Sequence, residues 1–94
     1  MIKSFGGRET EKVFSREFSK KLPHDIQRVA LRKLSMLNAA RDLRDLMVPP
    51  ANQLEQLSGK RRGQYSIRIN KQWRVCFNWR EGSAYDVEII DYHK

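Results

Sequence analysis

The chain has 94 residues, 39% of them hydrophobic, so it is long enough for one small folded domain and too apolar for an intrinsically disordered protein. A single cysteine excludes an internal disulfide framework and fits a reducing compartment, which favours a cytoplasmic protein. The first five residues are too short and polar for a signal peptide, and no stretch approaches the length of a membrane span. The net charge of +8 favours an anionic partner.

The N-terminal half of the chain predicts a short strand followed by two helices. Residues 1–5 are expected to form an edge strand that ends at a glycine pair. Residues 10–20 carry apolar side chains at helical spacing, which predicts a short amphipathic helix. Pro23 and Asp25 suit the first turn of a second helix. The apolar stripe of that helix consists of Ile26, Val29, Ala30, Leu34, Leu37 and Ala40.

The C-terminal half predicts three or four strands. A separate turn at residues 43–47 ends at two prolines, and residues 53–57 then indicate a short strand. Residues 64–79 alternate apolar and polar side chains around a polar centre at residues 70–72, which is typical of a β-hairpin. A final strand is expected at residues 85–93.

This order of elements predicts an α+β fold in a single domain spanning residues 1–94, with an N-terminal strand and two helices packed on one face of an antiparallel sheet of three to four strands. The hairpin face beneath the helices is expected to consist of Tyr65, Ile67, Ile69, Trp73, Val75, Phe77 and Trp79. The opposite face, turned to solvent or to a ligand, is expected to consist of Gln64, Ser66, Arg68, Arg74, Cys76 and Asn78.

Two arginines are expected to face each other across the hairpin. A loop at residues 70–72 pairs every apolar residue with an apolar one and places Arg68 directly opposite Arg74. Like charges in this position destabilise a sheet. The pair therefore predicts a bound anion, and an RNA phosphate fits because arginine binds phosphate in a planar, bidentate way.

Basic residues concentrate on the hairpin and on the loop before it. Residues 58–80 carry seven basic side chains and no acidic one, whereas residues 81–94 carry one basic and four acidic side chains. Such a cluster is typical of nucleic-acid binding, although most charge runs are solvated surfaces. The RNA interpretation is favoured because aromatic and amide side chains interleave with the charges. Beside the arginine pair, the predicted phosphate contacts are Lys60, Arg61, Arg62, Lys71 and Arg80.

The end of the chain offers groups for metal-free RNA cleavage. One cysteine and two distant histidines do not form a metal site, and Cys76 and His24 are expected to be structural. Tyr92, His93 or a lysine could transfer protons while the arginines stabilise the phosphorane. Strand alternation places Tyr92 on the arginine face and His93 on the other. A purely structural role for the terminal Tyr-His pair is an equal alternative on these grounds.

Several segments together resemble the HigB (killer-protein) branch of RelE-like bacterial toxins. The likeness covers about residues 27–93. The segments that carry it are SIRIN at 66–70, QWRVCF at 72–77 and VEIIDYH at 87–93, supported by residues 39–46, 49–52 and 54–59. The resemblance implies a RelE-like fold and a ribosome-dependent mRNA endonuclease that needs no cofactor. It also implies a helix-turn-helix antitoxin of the HigA type as inhibitor, with DNA contacted only through that antitoxin.

The resemblance also assigns roles to individual residues. It gives Arg68 and Arg74 basic active-site positions, gives Tyr92 and His93 the terminal catalytic pair, and makes Asp91 the acid beside them. Some relatives have a catalytic lysine where this chain has Ser58, so the general base stays unassigned. One of the basic residues in the loop at 60–62 is a candidate for part of that role.

Two other functions fit parts of the same pattern. A non-catalytic RNA- or ribosome-binding module would need only the charge and the aromatic side chains. A subunit that acts mainly within a toxin–antitoxin repressor complex would touch DNA through its partner. Growth arrest on expression that depends on the arginine pair would separate the enzyme from both alternatives.

Overall fold

A computed structural model of the chain describes residues 1–92 and packs two helices against a four-stranded antiparallel sheet with strand order β1-β2-β3-β4. The predicted α+β class is therefore confirmed. The elements are α1 (Arg8–Phe14), α2 (Gln27–Ala39), β1 (Glu55–Gln56), β2 (Tyr65–Arg68), β3 (Trp73–Arg80) and β4 (Ser83–Asp91), with short 3₁₀ segments at His24–Ile26, Leu43–Met47, Pro50–Asn52 and Gly59–Arg61. Within the described residues, neither helix is long and apolar enough to cross a membrane.

The hairpin has the predicted register. β2 and β3 pair antiparallel, and each apolar residue of one strand meets an apolar residue of the other. Ile67 and Val75 face each other and are completely buried, together with Leu34 and Leu37 of α2. The apolar stripe of α2 therefore covers the apolar face of the hairpin, and this contact forms the centre of the core.

The predicted N-terminal strand is reduced to two isolated parallel bridges beside β4. Ile2 pairs with Ala84 and Phe5 pairs with Val87. Between them, Asp86 adopts a left-handed conformation with φ of 53°, and its N–H donates to the Ser4 hydroxyl at 2.9 Å. This local turn interrupts the backbone pairing, because the amide of Asp86 bonds a side chain instead of the neighbouring segment.

The first helix is shorter than predicted. Helical spacing suggested residues 10–20, but α1 ends at Phe14 and Arg16 adopts a left-handed conformation with φ of 65°. The segment that follows is held by side chains, since Gln27 Nε2 donates to the Ser19 carbonyl at 2.7 Å. Phe18, which continued the apolar spacing, is exposed. Local side-chain bonds have thus overridden the periodic pattern.

The polar face of the hairpin is not an open surface as predicted. Ser66 and Cys76 are completely buried, and Arg74 retains only 6% of its accessible surface. The segment at residues 50–56 lies against this side of the sheet, where the turn Pro50–Asn52 packs on β2 and β1 pairs with β2. The alternating pattern therefore predicted correctly which residues share each side of the strands. It did not predict that another segment of the chain covers the polar side.

Candidate functional site

A cleft of about 350 Å³ lies at the end of the β2–β3 hairpin. Arg68 is the last residue of β2, Arg74 is the second residue of β3, and Tyr92 follows β4 directly. The cleft is lined by Gln53, Arg68, Asn70, Lys71, Arg74 and Tyr92. Three of the predicted catalytic residues and one predicted phosphate contact therefore come together.

The hairpin loop fixes the positions of these side chains. The side-chain oxygen of Asn70 accepts hydrogen bonds from the backbone N–H groups of Gln72 and Trp73, both at 2.8 Å. This local turn stabilises the register that sets Arg68 opposite Arg74. The N–H of Tyr92 then donates to the Gln72 carbonyl at 2.6 Å, which ties the end of β4 to the same loop. Tyr92 consequently reaches the arginine side, as the alternation predicted.

Arg74 is held by protein groups at all three guanidinium nitrogens. Nε donates to the Ser66 hydroxyl at 2.7 Å, Nη2 donates to the Gln53 carbonyl, and Nη1 lies 3.2 Å from the Glu55 carboxylate. Burial lowers the pKa of Arg74 from its ordinary value, and the charge of Glu55 opposes that shift. Arginine stays protonated in proteins, so the cleft contains a fixed positive charge.

Arg68 has a different environment. It is half-buried, and its side chain makes no hydrogen bond or ion pair with any residue in the range 1–92. The facing arginines predicted that an anion binds between them. The Glu55 carboxylate is such an anion for Arg74 but does not pair with Arg68. Arg68 therefore keeps its hydrogen-bond donors available for a ligand phosphate, with Arg74 as a rigid charge opposite.

A buried polar network behind the cleft was missed by the sequence analysis. Asn52 is completely buried, accepts a hydrogen bond from Lys33 Nζ at 2.5 Å and donates to the Leu46 carbonyl at 3.1 Å. The next residue, Gln53, has a left-handed conformation with φ of 44° and supplies the carbonyl that binds Arg74. The network thus anchors the segment that holds Arg74.

The sequence contains a signal for this network. Lys33 lies three residues after Ala30 and four before Leu37, both of which are completely buried, so it belongs to the buried stripe of α2. Burial lowers the pKa of Lys33, and the neighbouring charges of Arg32 and Arg68 lower it further. A lysine on a buried stripe requires a polar partner. Asn52, in the loop after α2, is that partner.

Asp91, which was also predicted to be catalytic, is not among the described residues that line the cleft. Asp91 pairs with Trp73 across the β3–β4 ladder, which places it on the side of the sheet opposite Arg74, and its carboxylate accepts from Gln72 Nε2 at 3.2 Å. His93 lies outside the described residues. Of the two described residues of the predicted terminal group, Asp91 and Tyr92, the structure brings Tyr92 to the two arginines.

Most predicted phosphate contacts form a second basic surface. A cleft of about 450 Å³ is lined by Lys60, Arg61, Arg62, Gln64 and Asn78. Gln64 and Asn78 lie toward the far end of the hairpin from the Arg68–Arg74 pair. Arg80 belongs to neither cleft, and its guanidinium lies 4.0 Å from the centre of the Tyr85 ring in a cation–π contact.

Cys76 is not a second reactive centre. Its side chain is completely buried, and burial raises the pKa of the thiol, which disfavours the reactive thiolate. Across residues 1–92, no three His, Cys, Asp or Glu side chains are grouped closely enough to hold a metal ion. The ionisable groups that line the described cleft are two arginines, a lysine and a phenol.

This arrangement of helices, sheet and basic cleft is the fold of RelE-like toxins. The chain superposes on a chain of the heterotetrameric YoeB–YefM toxin–antitoxin complex from Staphylococcus aureus with a TM-score of 0.61, covering 100% of this chain and 99% of that chain at 18% sequence identity. A second structure of the YoeB–YefM complex gives a TM-score of 0.55 at 17% identity.

Sequence comparison gives the family within this class. Residues 3–93 match the model of the RelE-like toxin of type II toxin–antitoxin system HigB, so the chain belongs to the HigB family. It is 42% identical over 73 residues to Toxin HigB-1 of Vibrio cholerae serotype O1, covering 78% of this chain and 76% of that protein. It is 31% identical over 94 residues to Endoribonuclease HigB of Proteus vulgaris, covering 99% of this chain and 100% of that protein.

Proposed function

We propose that this chain is a toxin endoribonuclease that cuts messenger RNA on the ribosome and so inhibits translation. The observation that carries the proposal is the cleft in which Arg68, Arg74 and Tyr92 meet. A ligand phosphate in this cleft would lie between a rigid guanidinium and an accessible one, beside a phenol that can transfer a proton. The name of the Proteus vulgaris relative, an endoribonuclease, supports the same reaction class.

The proposed reaction is attack of the ribose 2′-OH on the adjacent phosphate. Arg68 and Arg74 stabilise the negative charge that builds on the phosphorane, and Tyr92 transfers a proton. We assign secondary roles to His93, as a further proton-transfer group, and to Asp91, as the acid beside it. No metal ion is required, because the two guanidinium groups supply the charge stabilisation that a metal would otherwise provide.

The distribution of charge supports the proposed ribosome dependence. Lys71 lines the cleft, whereas Lys60, Arg61 and Arg62 line the second basic surface. Together with Arg80 they are assigned to phosphate contacts. Such contacts supply affinity and orientation rather than sequence recognition. The mRNA that reaches the cleft is therefore selected by the ribosome that holds it.

The inhibitor is proposed to be a HigA-type helix-turn-helix antitoxin, and both proteins would act in the cytoplasm. The family description supports an antitoxin partner, because type II systems pair a toxin with a protein antitoxin. The chain would contact DNA only through that antitoxin.

Controlled expression in bacteria tests this proposal. We expect growth arrest, and primer extension should map new 5′ ends within translated messages. Arg68→Ala should abolish both effects, whereas Arg28→Ala, which removes an exposed arginine of α2, should abolish neither. Arrest without new message ends would contradict the endonuclease and indicate a non-catalytic ribosome-binding module.

A further inference from the structure

A carboxylate joins the arginine pair from the edge of the sheet. Glu55 lies on β1 opposite Ser66 of β2, and directly opposed residues share one side of a sheet. Its carboxylate is 3.2 Å from Nη1 of Arg74, and its side chain remains 55% exposed. The group is therefore both fixed by a buried arginine and accessible to a large ligand.

Glu55 and Tyr92 approach Arg74 from opposite sides. Glu55 belongs to the first strand of the sheet and Tyr92 follows the fourth, with the hairpin arginines on the strands between them. Glu55 is level with Glu88 of β4, so three strand spacings and a four-residue offset along the strands separate the backbones of Glu55 and Tyr92 by about 20 Å. Glu55 nevertheless forms an ion pair with Arg74, and Tyr92 lines the same cleft as Arg74. Glu55 does not itself line the cleft, but its partner Arg74 does. A phosphodiester bound at Arg74 would have Glu55 toward one side and Tyr92 toward the other, as an in-line displacement requires.

Glu55 fits the role that the sequence left unassigned. Charged lysine and arginine side chains have no acceptor atom and cannot take a proton. Ser58 replaces the lysine of some relatives, and Asp91 lies on the other side of the sheet. Pairing with arginine weakens a carboxylate as a base, and a substrate phosphate that binds the same arginine would relieve that pairing.

We propose that Glu55 is the general base of the cleavage reaction, an assignment that rests on the proposed endoribonuclease function. The Glu55 carboxylate takes the proton of the ribose 2′-OH as the 2′-oxygen bonds to phosphorus. The bond between phosphorus and the 5′-oxygen breaks, and that oxygen takes a proton from the Tyr92 hydroxyl. The products are a 2′,3′-cyclic phosphate and a 5′-hydroxyl end, with Tyr92 and Glu55 exchanging protons with water afterwards.

Glu55→Gln is the decisive variant because glutamine still accepts a hydrogen bond from Arg74 but cannot take a proton. We expect the single-turnover rate on ribosome-bound mRNA to fall by about 10²–10⁴-fold, with ribosome binding and melting temperature unchanged. The variant should also lose the acid limb of the pH–rate profile. Glu55→His should restore part of the rate, with that limb at a higher pH. Gln56→Ala, at the adjacent exposed residue of β1, is the matched control.

A structural role for Glu55 gives the opposite pattern. In that case Glu55→Gln would cut RNA at nearly the rate of the unaltered chain, while Glu55→Ala would be slow because Arg74 had lost its partner. Such a result would overturn the general base and leave the proposed endoribonuclease intact. If the unaltered chain did not cut ribosome-bound mRNA, the proposed function would fail together with the base.

Discussion

Arg68 and Arg74 occupy equivalent positions in the hairpin but have different environments. Arg74 is buried and bound to Ser66, Gln53 and Glu55, whereas Arg68 is half-exposed and has no such partners among residues 1–92. Alternation along two strands was sufficient to predict that the pair faces each other. It could not predict the difference, because the partners of Arg74 include a loop carbonyl and a carboxylate on another strand.

This difference predicts unequal effects on stability. Arg74→Ala leaves the buried Ser66 hydroxyl and the Gln53 carbonyl without their donor, so the free energy of unfolding should fall by about 2–4 kcal/mol. Arg68→Ala should change it by no more than about 0.5 kcal/mol. Both variants should lose RNA cleavage. Urea denaturation at neutral pH measures the stabilities, with Arg28→Ala as a surface control.

Equal stability of the two variants would contradict this division of roles. If Arg68→Ala were the less stable protein, Arg68 would be the structural arginine, and the assignment of the accessible phosphate-binding group would be reversed.

At the scale of the elements, the segment between α2 and β1 determines the shape of the site. It contains Asn52, whose side chain is bound by Lys33 and bonds the carbonyl of Leu46, and Gln53, whose carbonyl holds Arg74. The sequence predicted the turn at residues 43–47 and a strand after the prolines. It did not predict that this segment covers the polar side of the hairpin, because tertiary contacts of irregular segments have no periodic signature.

Asn52→Ala should therefore weaken both the fold and the site. It leaves a buried lysine ammonium and a backbone carbonyl without partners, which should lower the free energy of unfolding by about 2–4 kcal/mol. The loop that presents the Gln53 carbonyl would also loosen, so cleavage should slow at a temperature where the variant is still folded. Lys33→Met combined with Asn52→Leu should recover much of the stability, because an apolar pair needs no hydrogen bonds.

Thermal denaturation of the single and double variants, with single-turnover cleavage assays on each, provides the measurement. A fully stable Asn52→Ala protein would show that the network does not anchor the loop.

The two helices illustrate where sequence periodicity succeeds and fails. The apolar members of the α2 stripe were predicted because they contact one continuous apolar sheet face, whereas the buried Lys33 on the same stripe was missed. α1 was predicted too long, since Phe18 continued the spacing while the chain had already turned at Arg16. Apolar residues at helical spacing indicate buried positions only where the helix packs along its whole length.

Across the whole molecule, the positive charge is divided between two surfaces of the same hairpin. The cleft contains Arg68, Lys71 and Arg74, and the second basic surface contains Lys60, Arg61 and Arg62. The sequence predicted one basic cluster that contains the residues of both surfaces, because the run of basic residues without acids is local in the chain. The division of these residues between two surfaces depends on the length of the hairpin and the path of the loop. Under the proposed function, the charge would serve ribosome binding over a wide area, and chemistry would be confined to one end.

The most direct test of the central claim is cleavage of a defined message by the purified chain, on ribosomes and as naked RNA, with the product ends identified. We expect cutting of the ribosome-bound message to leave 2′,3′-cyclic phosphate and 5′-hydroxyl ends, with weak cutting of the naked RNA. Tyr92→Phe should lower the rate by about 10²–10⁴-fold. Ends with a 3′-hydroxyl and a 5′-phosphate, or equally fast cutting by Tyr92→Phe, would contradict a cleft in which Arg68, Arg74 and Tyr92 promote attack by the 2′-OH.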